Sequence, residues 1–179
     1  MSVGVFKFLI SVFFANAIRI LRFIPNNDPI MGMMLPFSKQ EKVYVSVLFP
    51  IVTMVSFDLL TSGLGLWTLI TAATYGCLGL SFYFAYKKMK KVDMKRYLGS
   101  GVIGVLIFDL VTGVIAAPFM FGMSFPQAFI GQIPFTLLHL TTVTGYILII
   151  TPLLDKHILK NKNLDDTKIL TLLFKRSFA

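Results

Sequence analysis

The chain has 179 residues, of which 56% are apolar and only 14% are charged, and its mean hydropathy is +0.79. A soluble domain carries about 25% charged residues, so this composition excludes an ordinary soluble globule and a disordered chain. The net charge of +9 comes mostly from basic residues between apolar runs. That distribution is typical of cytoplasmic loops that meet anionic membrane lipid, so no nucleic-acid partner is predicted.

Five long apolar runs and one short run predict an all-α membrane bundle. In chain order they cover roughly residues 3–24, 30–37, 43–61, 66–86, 97–121 and 127–154. A helix of about 20 apolar residues crosses the ~30 Å hydrocarbon core. The second run spans only about 12 Å as a helix and does not cross unaided. The bundle would occupy residues 1–155, followed by a basic tail over 156–179.

The basic residues predict the orientation of the bundle. Six of them lie in the loop 87–96 and six in the tail 156–179. Two crossings separate these segments, so both are expected in the cytoplasm. If the short second run crosses, the N-terminus is also cytoplasmic and Arg19 lies outside. If it does not cross, Arg19 lies inside, and charge counting alone slightly favours this five-crossing arrangement.

Two aspartates lie inside apolar runs and are candidate site residues, because an ionisable group at membrane depth is costly. Asp58 lies a few residues before the predicted outer turn at 62–65, where interfacial water can reach it. Asp109 lies near the middle of its run and needs a partner. Each could contact a substrate or ion, or could instead hold a neighbouring helix through a hydrogen bond.

The sixth run carries a polar and aromatic stripe on one helical face. Its members are Gln132, Phe135, Thr136, His139 and Thr142. An amide, a ring and an imidazole suit a cavity wall, although the same face could join two helices by hydrogen bonds. No metal site is predicted, because the other histidine, His157, lies in the basic tail.

Three further features have both a functional and a structural interpretation. Trp67, after the turn at 62–65, is either an interfacial anchor or a stacking platform for a ligand. Asn27 and Asp28 either cap a cavity or simply form a turn. The small residues Ser11 and Ala15 are four apart, which allows another helix to pack closely, in this chain or in a partner.

Common catalytic and ATP-binding motifs are absent from the sequence. It contains no P-loop, no Gly-x-Ser-x-Gly, no His-Glu-x-x-His and no Cys-x-x-Cys. We therefore expect neither an enzyme nor a bound cofactor. A membrane enzyme acting on lipid stays an alternative, which would require Asp58, Asp109 and His139 to converge.

Over roughly residues 5–155 the chain resembles the substrate-binding S components of energy-coupling factor (ECF) transporters. The resemblance rests on the turn 22–30 before a short second helix and on Phe57-Asp58-Leu59 before a glycine-rich turn. It also rests on the basic loop 87–96 and on the segment from Gly131 to Thr136.

The resemblance implies six helices with both termini in the cytoplasm, in the cell membrane. It implies that a vitamin or similar micronutrient binds in an outward-facing cavity, with the loop between the first two helices as part of its lid. A T-type transmembrane subunit and two cytoplasmic ATPases would power uptake. Family members often use an Ala-xxx-Ala pair on the first helix to contact the T subunit, and this chain has Ser11 and Ala15 there.

The residues expected to bind the ligand on this interpretation are drawn from the polar and aromatic positions above. They are Asn27, Asp28, Asp58, Trp67, Asp109, Gln132, Phe135 and His139. The main alternative is a small structural or assembly membrane protein without a ligand, in which the same polar groups hold helices together.

Overall fold

A computed structural model of the chain describes residues 4–21, 26–166 and 168–169. Within these residues the fold is all-α, which confirms the predicted class. In chain order the helices are α1 (Val5–Leu21), α2 (Ile30–Gln40), α3 (Val43–Leu60), α4 (Leu66–Lys87), α5 (Met94–Phe121) and α6 (Phe125–Ile158). The last four are long and apolar enough to span a membrane, by length and composition. A 3₁₀ turn follows at Lys162–Leu164.

The helices begin close to the predicted positions, and the differences have local causes. Helix α5 starts three residues early because the Asp93 side chain accepts a hydrogen bond from the Arg96 N–H at 3.1 Å and caps the first turn. Helix α6 starts two residues early because Ser124 and Gln127 form a capping box, with Ser124 N–H donating to Gln127 Oε1 at 3.0 Å. It continues to Ile158, so the predicted domain boundary at 155–156 falls inside a helix.

One end of the bundle, here called the basic end, contains the loop 88–93 and the residues after α6. The buried Lys7 of α1 donates to the Leu159 carbonyl at 3.0 Å and pairs with Asp165 at 2.6 Å. Asp166 accepts hydrogen bonds from the first N–H groups of α1. The start of α1 and the segment after α6 therefore lie at the same end, as the six-helix arrangement requires.

Helices α2, α4 and α5 also reach the basic end. Lys39 of α2 pairs with Asp155 of α6 at 2.8 Å and lies 5.3 Å above the ring of Tyr97. The rings of Tyr86 and Tyr97 meet at 5.9 Å, where α4 ends and α5 begins. The opposite end, called the turn end, holds the turns 61–65 and 122–124, which meet through Trp67 and Phe121 at 5.6 Å. Of the two arrangements left open by the sequence, this matches the one in which α2 returns the chain, because both α1 and α3 begin at the basic end.

Helix α2 lies in the centre of the bundle. It has 11 residues and so spans about 16 Å. It contacts α3, α4, α5 and α6, and most of its side chains are buried, including those of Met31, Met34 and Phe37. A helix too short to cross lipid is stable here because protein, instead of lipid, surrounds it and its ends.

Helices α3 and α4 pack closely at Gly79. Ser46 Oγ donates to the Gly79 carbonyl at 2.7 Å, and a Cβ atom at Gly79 would collide with the Ser46 carbonyl oxygen. We expect Gly79→Ala to lower the free energy of unfolding by about 1 to 3 kcal/mol, because backbone cannot yield as a side chain can.

The matched control for Gly79→Ala is Gly99→Ala in α5. No described atom lies within 4 Å of a Cβ built at Gly99, so alanine there should be neutral or stabilising by up to about 1 kcal/mol. Unfolding in mixed detergent micelles measures both changes. Equal effects at the two glycines would contradict the close α3–α4 contact.

Candidate functional site

A cavity of about 760 Å³ enters the bundle from the turn end. Exposed residues of the α5–α6 connection, Phe121, Met123 and Gln127, lie at its mouth. Aromatic side chains form much of the wall. They are Trp67, Tyr75, Phe108 and Phe135. The cavity therefore offers flat apolar surfaces below an accessible opening.

Charged side chains form a row at the inner part of the cavity. Arg19 NH1 lies 3.7 Å from Asp28 Oδ1, and Asp28 Oδ2 lies 3.4 Å from His139 Nε2. His139 Nδ1 lies 2.8 Å from Asp109 Oδ1. Each imidazole nitrogen therefore faces a carboxylate, through a hydrogen bond to Asp109 and a longer contact to Asp28. The row thus joins α1, the segment before α2, α6 and α5.

Asp28 is the centre of this row. Its Oδ1 accepts from the Ile30 N–H at 3.0 Å, and its Oδ2 accepts from the Tyr75 hydroxyl. Arg19 and His139 lie on either side of it, at 3.7 and 3.4 Å. Both oxygens of Asp28 therefore already have protein partners.

The segment 26–29 forms part of the cavity wall. Asn26 Nδ2 donates to the Phe135 carbonyl at 3.0 Å, and Thr142 Oγ1 donates to the Asn26 carbonyl at 3.0 Å. Asn27 Nδ2 donates to the Ile18 carbonyl of α1, and Asn27 Oδ1 accepts from the Tyr146 hydroxyl of α6. The described part of the predicted lid is thus held between helices inside the bundle, and residues 22–25 lie outside the described residues.

Helix α5 changes geometry where it meets the cavity. Residues Leu110–Ala116 form a π-helical segment directly after Asp109, and Thr112 and Gly113 within it line the cavity. A Cβ atom at Gly113 would collide with the Gln132 side-chain amide. The glycine therefore lets Gln132 lie against α5, and π segments of this kind are frequent at functional sites.

Six of the predicted ligand residues line the cavity: Asn27, Asp28, Trp67, Gln132, Phe135 and His139. The other two do not. Asp58 accepts from Thr68 Oγ1 at 2.6 Å and so ties the end of α3 to the start of α4. Asp109 lies behind His139 and is only 2% exposed. No group of three or more His, Cys, Asp or Glu residues able to hold a metal ion occurs in the described part of the chain.

The predicted partner contact at Ser11 and Ala15 is not on the outer surface. Ser11 is 2% exposed and Ala15 is 0% exposed, and Ser11 Oγ donates to the Lys7 carbonyl of its own helix. The small pair faces the inside of the bundle, where it allows close packing within this chain. In this arrangement it presents no surface to a partner, which corrects the placement taken from the family resemblance.

Several cavity residues were not among the predicted ligand residues. The most informative is Arg19, which interrupts the first apolar run and lies in the cavity wall. Tyr75 carries a hydroxyl within a long apolar run, a signal that could have marked it. Phe108 and Met54 carry no comparable signal, because large apolar residues occur throughout every run.

Comparison with known proteins gives a family assignment. The model of a family of unknown function, DUF6580, matches residues 3–151. No curated protein and no solved structure matches the chain. The match covers α1 to most of α6, and therefore every helix that contributes to the cavity. The chain belongs to the DUF6580 family.

Proposed function

We propose that this protein captures a small organic molecule, a vitamin or similar micronutrient, from outside the cell membrane. The observation that carries the proposal is the cavity of about 760 Å³ at the turn end. Its size is in the range of small-molecule sites, which are mostly apolar with a few placed polar groups. Trp67, Phe108 and Phe135 would stack on a flat ligand, and Gln132 and His139 would bond its polar edge.

The closed inner boundary of the cavity favours a protein that captures a molecule and does not favour a continuous channel. The row from Arg19 to Asp109 closes the cavity at mid-depth, and the buried helix α2 fills the centre of the bundle beyond it. At the basic end, Lys39 and Gln40 of α2 also bond Asp155 of α6. Release on that side would therefore require helices to move.

Capture and release also require an orientation of the protein in the membrane and a source of energy for movement of its helices. With its excess of lysines and arginines, the basic end would be cytoplasmic, and the turn end would face outward. The sequence has no P-loop, so movement of the bundle would be powered by other chains. On the ECF resemblance these would be a T-type subunit and two ATPases. Since Ser11 and Ala15 are buried, the T subunit would contact another surface.

The enzyme alternative receives no support from the geometry. It required Asp58, Asp109 and His139 to converge. Asp58 is bonded to Thr68 near the α3–α4 turn, whereas Asp109 is bonded to His139 at the inner part of the cavity. The two aspartates have separate structural surroundings.

A pull-down from the host's own membranes tests whether ATPase partners power uptake. Tagged protein is purified in mild detergent and its partners are identified by mass spectrometry, with an unrelated tagged membrane protein as control. We expect a T-type membrane subunit and two ATPases to be recovered with this protein and not with the control protein. A preparation free of these subunits would contradict uptake driven by ATPase partners.

A further inference from the structure

We propose that the ligand is a carboxylic acid with a flat apolar body, and that Arg19 binds its carboxylate. This inference rests on the proposed function, because it names the class of ligand for the same cavity. It is carried by the position of Arg19 and by its incomplete set of protein partners.

Arg19 lines the cavity and does not serve as a lipid-facing cation. Its side chain is 14% exposed, and its guanidinium carbon lies 4.1 Å from the centre of the Phe57 ring. Stacking on Phe57 holds the guanidinium plane in place. A lysine or arginine that contacts lipid phosphate would instead extend towards the membrane surface.

The guanidinium keeps most of its hydrogen-bonding capacity. An arginine has five N–H donors, yet among residues 4–21, 26–166 and 168–169 its one hydrogen bond is from NH1 to Met54 Sδ at 3.0 Å. The Asp28 carboxylate is 3.7 Å away, beyond hydrogen-bond distance. A carboxylate is the group that a guanidinium fork binds best, through two parallel hydrogen bonds.

Gln127 at the mouth of the cavity offers a further donor. Its Oε1 accepts from the N–H and Oγ of Ser124 in the capping box. This leaves the Nε2 amide as a donor for an acceptor group of the ligand.

In the part of the chain that the structure describes, Arg19 is the cation of the cavity wall that lacks a closely bound carboxylate. The charged groups that line the cavity within the described residues are Arg19, Asp28 and His139. His139 already lies between two carboxylates, 3.4 Å from Asp28 and 2.8 Å from Asp109. A ligand carboxylate would therefore pair with Arg19.

Three probes that share one ring system test this inference: 2-naphthoate, 2-naphthamide and 2-naphthylmethylamine. Binding to protein in lipid nanodiscs is measured by equilibrium dialysis, with empty nanodiscs correcting for partition into lipid. We expect 2-naphthoate to bind at least about tenfold more tightly than the other two, as a charge-assisted bond to a guanidinium requires. Arg19→Gln should abolish that preference, and Arg19→Lys should retain part of it.

The control is Lys91→Gln, which removes a positive charge from an exposed position at the basic end and should leave the preference unchanged. Thermal unfolding of each variant confirms that the fold survives. Equal binding of acid and amide, or a preference that persists in Arg19→Gln, would overturn the inference and leave capture standing. Binding of none of the three probes would overturn the inference, whereas the proposed capture function is tested separately by binding of the host's own metabolites.

Discussion

Replacing Asp109 with Ala is expected to lower the free energy of unfolding by about 3 to 5 kcal/mol, because it leaves His139 buried without its nearest carboxylate partner. Asp109 is 2% exposed, and its Oδ1 lies 2.8 Å from His139 Nδ1. Once Asp109 is removed, His139 keeps only the longer contact to Asp28. The imidazolium must then lose a proton or stay incompletely paired.

A double-mutant cycle separates this pairing from simple loss of packing. The cost of Asp109→Ala with His139→Ala should be clearly smaller than the sum of the two single costs. Asp109→Asn, which keeps the shape, should cost less than Asp109→Ala. Reversible unfolding in mixed micelles, followed by the fluorescence of Trp67, gives each value. Strict additivity, or a cost for Asp109→Ala below about 1 kcal/mol, would contradict a paired buried network.

Gly131→Phe is expected to abolish ligand binding while leaving the fold intact. Gly131 lines the cavity, and no described atom lies within 4 Å of a Cβ built there. A phenyl ring can therefore enter the space that the ligand needs without displacing the backbone. We expect the loss of affinity to be at least about a hundredfold, since overlap with a ligand cannot be relieved in a packed site.

Gly99→Phe is the matched control for this variant. Gly99 also lies in a helix and also has no described atom near its Cβ position, but it lies near the basic end and does not line the cavity. The shift in Trp67 fluorescence on adding a bound compound measures both variants, because Trp67 is the single tryptophan of the chain and lines the cavity. A Gly131→Phe protein that still binds would place the ligand elsewhere.

Hydropathy and turn chemistry predicted the helices well, because both signals are local. Every long run corresponds to an observed helix, and the ends differ by a few residues where Asp93 or Ser124 provides a cap. The path of α2 was left undecided, because its stability depends on the four helices around it and not on its own sequence. Loop charges also gave a weak signal for the N-terminus, whose position is fixed by contacts from Lys7 to the segment after α6.

The sequence pattern distinguished cavity-lining residues from structural polar residues only in part. The stripe containing Gln132, Phe135 and His139 lies on the cavity because period 3.6 places these residues on one helical face. The same reasoning cannot distinguish Asp58 from Asp28, since both are polar residues close to a turn. Their difference depends on the partners that folding brings near: Thr68 for Asp58, and Arg19, Tyr75 and His139 for Asp28.

The pair Ser11 and Ala15 illustrates another limit. Small residues four apart indicate that a helix packs closely there, and this is what α1 does. The spacing does not say whether the other helix belongs to the same chain. The outward face of α1 instead carries large apolar side chains, including Leu9 and Phe13.

Whether the cavity holds a small molecule can be measured by equilibrium dialysis against the host's own metabolites. Protein in nanodiscs is dialysed against a small-molecule extract, and compounds enriched with the protein are identified by mass spectrometry. We expect at least one compound to be enriched by the unmodified protein and by Gly99→Phe, but not by Gly131→Phe, if a small molecule binds in the cavity. Failure to enrich any compound, or equal enrichment by Gly131→Phe, would contradict binding in the cavity.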